Sequence, residues 1–120
     1  VSHLTVYKYE LPITSAPSEV IPLDLPKGAR LLKVGEQGAD PMLGPRLFVW
    51  ALIDPAEKET ERRYVLTAGT GHQIELTALN RSWALQETVL CLGGRLVLHV
   101  WITHPEASSG SSVEQSKNTP

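Results

Sequence analysis

The stretch from Arg46 to Ile53 reads Arg-Leu-Phe-Val-Trp-Ala-Leu-Ile, apolar at every position after the first. In an extended chain Leu47, Val49, Ala51 and Ile53 point one way and Phe48, Trp50 and Leu52 the other, so both faces require cover. Such a segment fits best in the middle of a sheet, and it is the expected central strand. A chain of 120 residues can bury it within one domain and is too short for two ordinary ones.

Other β patterns surround it. From Leu4 to Leu11 the chain is rich in β-formers, with Thr5, Tyr7, Tyr9 and Leu11 on one side. Pro12, Pro17, Pro22 and Pro26 leave room only for a short edge strand around Glu19 to Leu23, because proline cannot donate to a ladder. Pro26-Lys27-Gly28 reads as a turn before a strand from Arg30 to Gln37, and Gly35 and Gly38 mark a candidate bulge or the strand's end. Asp40 to Pro45 is a loop by its proline and glycine content. Alternation resumes from Arg62 to Ala68 after a polar segment, so the strands at 46–53 and 62–68 are expected to form a hairpin. Trp83 to Leu92 and Arg95 to Ile102 read as a second hairpin, since Gly93-Gly94 supplies the positive φ values of a tight turn. Between the hairpins, Gln73 to Asn80 is compatible with one or two helical turns or with irregular chain. After His104 almost no apolar side chain is left to offset the entropy of ordering. The expected organisation is one β-rich domain over 1–104 and a disordered tail over 105–120. Its fold class is all-β, with six to seven mainly antiparallel strands in a small sandwich or partly open barrel and at most one short helix.

A hydrophobic content of 42% with 20% charged residues is that of a globular chain, and a formal net charge of −2 gives no electrostatic footprint for nucleic acid. Lys27, Arg30 and Lys33 form a local basic group, read most plainly as solubilising charge. Cys91 is the only cysteine, so no internal disulfide can form, and its apolar neighbours Leu90 and Leu92 suggest a buried thiol in a reducing compartment. No apolar run of membrane-spanning length occurs, and the first residues lack the basic-then-apolar order of a secretion signal.

Gly69-Thr70-Gly71-His72 stands where a β pattern breaks off, and successive N–H groups there could cradle an anion beside Thr70 and His72. The segment lacks the lysine of a P-loop and the third glycine of a dinucleotide fingerprint, so a structural turn is the plainer reading. Trp50, His99 and Trp101 could stack on and hydrogen-bond a planar ligand, although strand aromatics more commonly fill cores. Those seven residues are the candidate ligand-binding set. His3, His72, His99 and His104 show no helical pairing and no cysteine partner, which gives a metal site little support. Ser82, His99 and Asp54 are the right types for a hydrolytic triad, but no nucleophile elbow surrounds Ser82; no catalytic residue and no cofactor is assigned. Asp54, Glu57, Glu59 and Glu61, interleaved with Lys58, Arg62 and Arg63, read as an exposed hairpin tip.

Five segments in order span most of the chain ahead of the tail: Tyr-Lys-Tyr-Glu-Leu-Pro (7–12), Leu-Pro-Lys-Gly-Ala (25–29), Trp-Ala-Leu-Ile-Asp-Pro (50–55), Gly-Thr-Gly-His (69–72) and His-Val-Trp (99–101). Together they resemble a family of small uncharacterised bacteriophage proteins, with an expanded loop at 38–46 in this chain. The resemblance implies a phage or prophage accessory protein in the cytoplasm of an infected bacterium. The expected function is non-enzymatic binding of a host or phage protein, with homo-oligomer formation as a further use of exposed strand edges. The alternative is a small-molecule binder that sequesters a nucleotide used as a host defence signal through Gly69 to His72. Neither nucleic acid nor a membrane is an expected partner.

Overall fold

The apolar strand around Trp50 occupies the central place expected of it. In the computed structural model, which describes residues 3–13, 19–38, 40, 42, 44–75 and 82–106, β4 (Leu47–Ile53) lies between β1 (Thr5–Glu10) and β3 (Arg30–Glu36), antiparallel to both. A second sheet has the order β2 (Val20–Pro26), β5 (Thr60–Gly69), β7 (Leu96–Thr103), β6 (Trp83–Cys91), again with antiparallel neighbours. The two sheets pack face to face as a sandwich; neither closes into a barrel.

The core is built from alternate residues of both sheets. Val34, Leu47 and Val49 from one meet Val65, Val89, Val100 and Ile102 from the other. A second cluster gathers Leu25, Ala29, Ala51 and Ile53, and Tyr9, Leu23 and Leu31 pack against both, so the two are continuous. Each fully buried valine, leucine or isoleucine among them contributes about 1.5–3 kcal/mol over its exposed state.

Cover on the outward side of β4 comes from side chains rather than from a further layer. Lys8 Nζ lies 4.6 Å from the Phe48 ring centroid and Arg46 Cζ 5.2 Å from it. Lys8 continues to Gln37 Oε1 at 2.6 Å, and Arg46 forks onto both carboxylate oxygens of Glu10 at 3.1 and 3.0 Å. Two long cations thus lay their stems across an aromatic face while their charged ends find polar partners.

The expected hairpin between 46–53 and 62–68 does not form. Both edges of β4 are taken by β1 and β3, so the chain after Ile53 crosses to the other sheet. Asp54 starts that crossing, its carboxylate accepting the Ala56 N–H at 2.9 Å and its carbonyl the Glu57 N–H at 3.0 Å. Arg63 and Glu61 are accordingly not at an exposed tip. Arg63, 5% exposed, donates to the carbonyls of Ala29 and Thr103 at 2.7 and 3.3 Å and to Glu61 at 3.2 Å, tying the link between β2 and β3 to β5 and β7 of the four-stranded sheet.

The hairpin of β6 and β7 forms as expected, but its turn takes four residues. Gly93 and Gly94 have φ of 68° and 89°, and Leu92 joins them at 52°. The bulge in β3 lies between Leu31 and Lys33, ahead of Gly35 and Gly38; it puts Leu31 and Val34 on the core side and leaves Leu32 exposed. Most of the helical turns expected over 73–80 lie outside the described residues, as does the tail from 107 onward. The chain is still held at Glu106, whose N–H donates to the Arg62 carbonyl at 3.0 Å and whose carboxylate accepts the Tyr64 hydroxyl at 2.8 Å.

Candidate functional site

Gly69 to His72 closes on itself. The His72 N–H donates to the Gly69 carbonyl at 3.1 Å, and Gly71, at φ 90°, supplies the positive angle that a type II turn needs at its third position. The His72 ring folds back so that Nδ1 accepts the Gly69 N–H at 3.1 Å. A Cβ at position 69 would stand 3.1 Å from that ring, which explains the first glycine. Two of the N–H groups of the candidate anion cradle are therefore spent inside the turn.

The neighbouring candidates divide between opposite faces of the sandwich. His99 and Trp101 alternate with the core residues Leu98, Val100 and Ile102, so they face outward from the four-stranded sheet, ring centroids 6.5 Å apart. Trp50 alternates with Val49 and Ala51 and faces outward from the other sheet, against Phe48 at 6.4 Å. The structure joins Thr70 to His99, Oγ1 to Nε2 at 2.8 Å, and separates both from Trp50. His99 Nδ1 meets Thr88 Oγ1 at 3.0 Å, so both ring nitrogens are occupied. Leu66 and Ala68 are buried on this same outward face, which shows that it is partly covered.

Ser82 stands just before β6, His99 in the middle of β7 and Asp54 just after β4, so the three come from different elements and two sheets. Among the described residues no group of three or more histidine, cysteine or acidic side chains is placed to hold a metal ion. A cavity of about 240 Å³ lies beside Tyr64, Ser82, Thr103 and His104, and a shallow one of about 430 Å³ beside Leu11, Ile13 and Pro45. Cys91 is buried in the core, and burial pushes its thiol up.

The edges of the two sheets carry the sharper contrast. β2 has Pro22 and Pro26. β3 has its bulge, and the Val34 N–H, which points away from β4, is taken by Glu87 Oε1 at 2.7 Å. β6 points Glu87 inward, and the Leu92 N–H at its end is taken by the Glu36 carboxylate at 3.1 Å. Proline, bulges and inward charges are the devices that blunt an edge against further pairing.

β1 has none of these. Leu4, Val6 and Tyr7 are 56%, 50% and 47% exposed, and Lys8 turns its charge back over Phe48 instead of guarding the edge. Its pairing with β4 continues to Leu11, whose N–H donates to the Leu47 carbonyl at 2.8 Å. In an antiparallel ladder the main-chain groups of alternate residues point the same way, so Tyr7, Tyr9 and Leu11 address β4. Leu4, Val6, Lys8 and Glu10 direct their N–H and C=O groups to the open edge. Sequence reasoning recognised the strand but not this asymmetry; the available signal was a β-former run free of proline from Leu4 to Leu11, ended by Pro12.

Among the described residues, fold and edge together define an antiparallel β-sandwich of seven strands in which β1, alone of the edge strands, carries no proline, bulge or inward charge. Residues 3–110 match the family described as a domain of unknown function (DUF7352), and the chain belongs to that family. Comparison with curated proteins finds no match, and comparison with solved structures finds none either. No helix among the described residues is long and apolar enough to cross a membrane.

Proposed function

We propose that this chain is a non-enzymatic bacteriophage accessory protein that works by binding another protein along β1. The observation that carries the binding role is the contrast between β1 and the other three edges: four residues with outward main-chain groups beside an apolar patch suit the addition of an extended strand. The phage setting, in the cytoplasm of the infected cell, rests on the resemblance of the five segments. Nucleotide capture through Gly69 to His72 has less in its favour, since the turn spends the Gly69 and His72 N–H groups on itself and His99 would have to give up Thr70 or Thr88.

Proline at position 6 separates an edge role from a folding role. The Val6 N–H faces outward, so Val6→Pro removes a donor from the open edge while sparing the ladder to β4. Tagged wild-type and Val6→Pro proteins purified from infected cells that also carry the untagged chain should differ in what accompanies them, a protein, a second copy of this chain included, being held by the first and lost from the second. Identical sets of bound proteins would contradict the proposed surface.

A further inference from the structure

We infer that the strand received by β1 is β1 of a second copy, paired antiparallel about a twofold axis at Tyr7. The inference rests on the reading of β1 as the binding edge and supplies its occupant. The outward main-chain groups belong to Leu4, Val6, Lys8 and Glu10, and Pro12, next in that series, has no N–H to offer. The midpoint of this series is Tyr7. A twofold there sets Leu4 opposite Glu10 and Val6 opposite Lys8 of the second copy, so all four positions in each chain enter hydrogen-bonded pairs. Moving the register by one pair in either direction leaves end groups unmatched or sets Lys8 directly opposite Lys8, which like charge disfavours.

Side chains agree with this register. The two Tyr7 rings meet across the axis on one face, and Thr5 lies opposite Tyr9, an aromatic beside a β-branched residue. On the other face the apolar Leu4 and Val6 lie against the stems of Glu10 and Lys8, whose charged ends are already held by Arg46 and Gln37. The exposed apolar residues at this edge are covered at once. The product is a continuous six-stranded sheet in the order β3-β4-β1-β1-β4-β3.

Light scattering on the full chain tests it. The wild type should have twice the 13.2 kDa chain mass, and Val6→Pro should return to the chain mass with its strand content intact. Oxidation of Tyr7→Cys should give a covalent dimer, because a directly opposite non-hydrogen-bonded pair brings Cα atoms to about 4.5 Å, within disulfide range. Val6→Cys, two residues out of register with its own copy, should not. If Val6→Pro fails to fold, the cysteine pair decides. A wild-type monomer at every concentration overturns the dimer, including the case in which the chain's own 107–120 segment fills the edge. Partners retained by such a monomer and lost from Val6→Pro would leave the binding role standing. A dimer that persists in Val6→Pro, or equal cross-linking of both cysteine variants, overturns the dimer and its register.

Discussion

Gly71 holds φ at 90°, a region that a side chain enters only with strain. Nothing lies near a Cβ built at this position, so Gly71→Ala isolates the backbone cost from any clash. It should lower unfolding stability by about 1–2 kcal/mol in urea titrations, and an unchanged midpoint would contradict the turn geometry. The sequence made the break at this loop legible through its glycines. It could not show that His72 returns to Gly69 or that Thr70 reaches His99, because those partners depend on side-chain rotamers and on the pairing of β5 with β7.

Two surface carboxylates give the acid response a definite sign. Hydrogen bonds from Arg46 hold Glu10 below its ordinary 4.5, and those from Arg62 hold Asp24 below its ordinary 3.8. Each folded value lies under the unfolded one, so the stabilisation is complete above the unfolded value and is lost as pH falls through the folded one. The thermal midpoint should therefore decline as pH drops below about 4.5. It should decline less steeply in Glu10→Gln/Asp24→Asn, and equal slopes would show that the pairs contribute nothing. Both pairs are exposed, so added salt should shrink the difference.

At the scale of elements, alternation located the strands and left their partners open. β4 and β5 are neighbours in sequence and each reads clearly, yet they belong to different sheets because β1 and β3 occupy both edges of β4. Periodicity reports which residues share a face and is silent about which edge a distant strand will take. Arg63 is the sharpest local miss: in a run of charges it reads as surface, whereas the crossing from β4 to β5 carries it between the sheets. Glu87 is legible in the sequence, since it alternates with Leu85, Val89 and Cys91 and so falls on an inward position. Glu87→Ala should cost about 1–3 kcal/mol by stranding the Val34 N–H, while Glu87→Gln, which keeps an acceptor oxygen, should cost less. Equal losses in chemical denaturation would contradict the capping role.

At the scale of the molecule, and among the described residues, the edges of β3 and β6 are closed by side chains and that of β1 is not. β3 and β6 are stitched by Glu87, Glu36 and the ion pair of Lys33 with Glu87 at 3.4 Å, whereas β1 ends its sheet with apolar residues in solvent. Amide hydrogen exchange along β1 measures that difference residue by residue. If β1 pairs with its copy, Val6 and Lys8 should exchange as slowly as Tyr7 and Tyr9, and dilution should restore fast exchange at Val6 and Lys8 alone. Fast exchange at Val6 and Lys8 beside slow exchange at Tyr7 and Tyr9, at every concentration, would contradict the pairing of β1 with its copy.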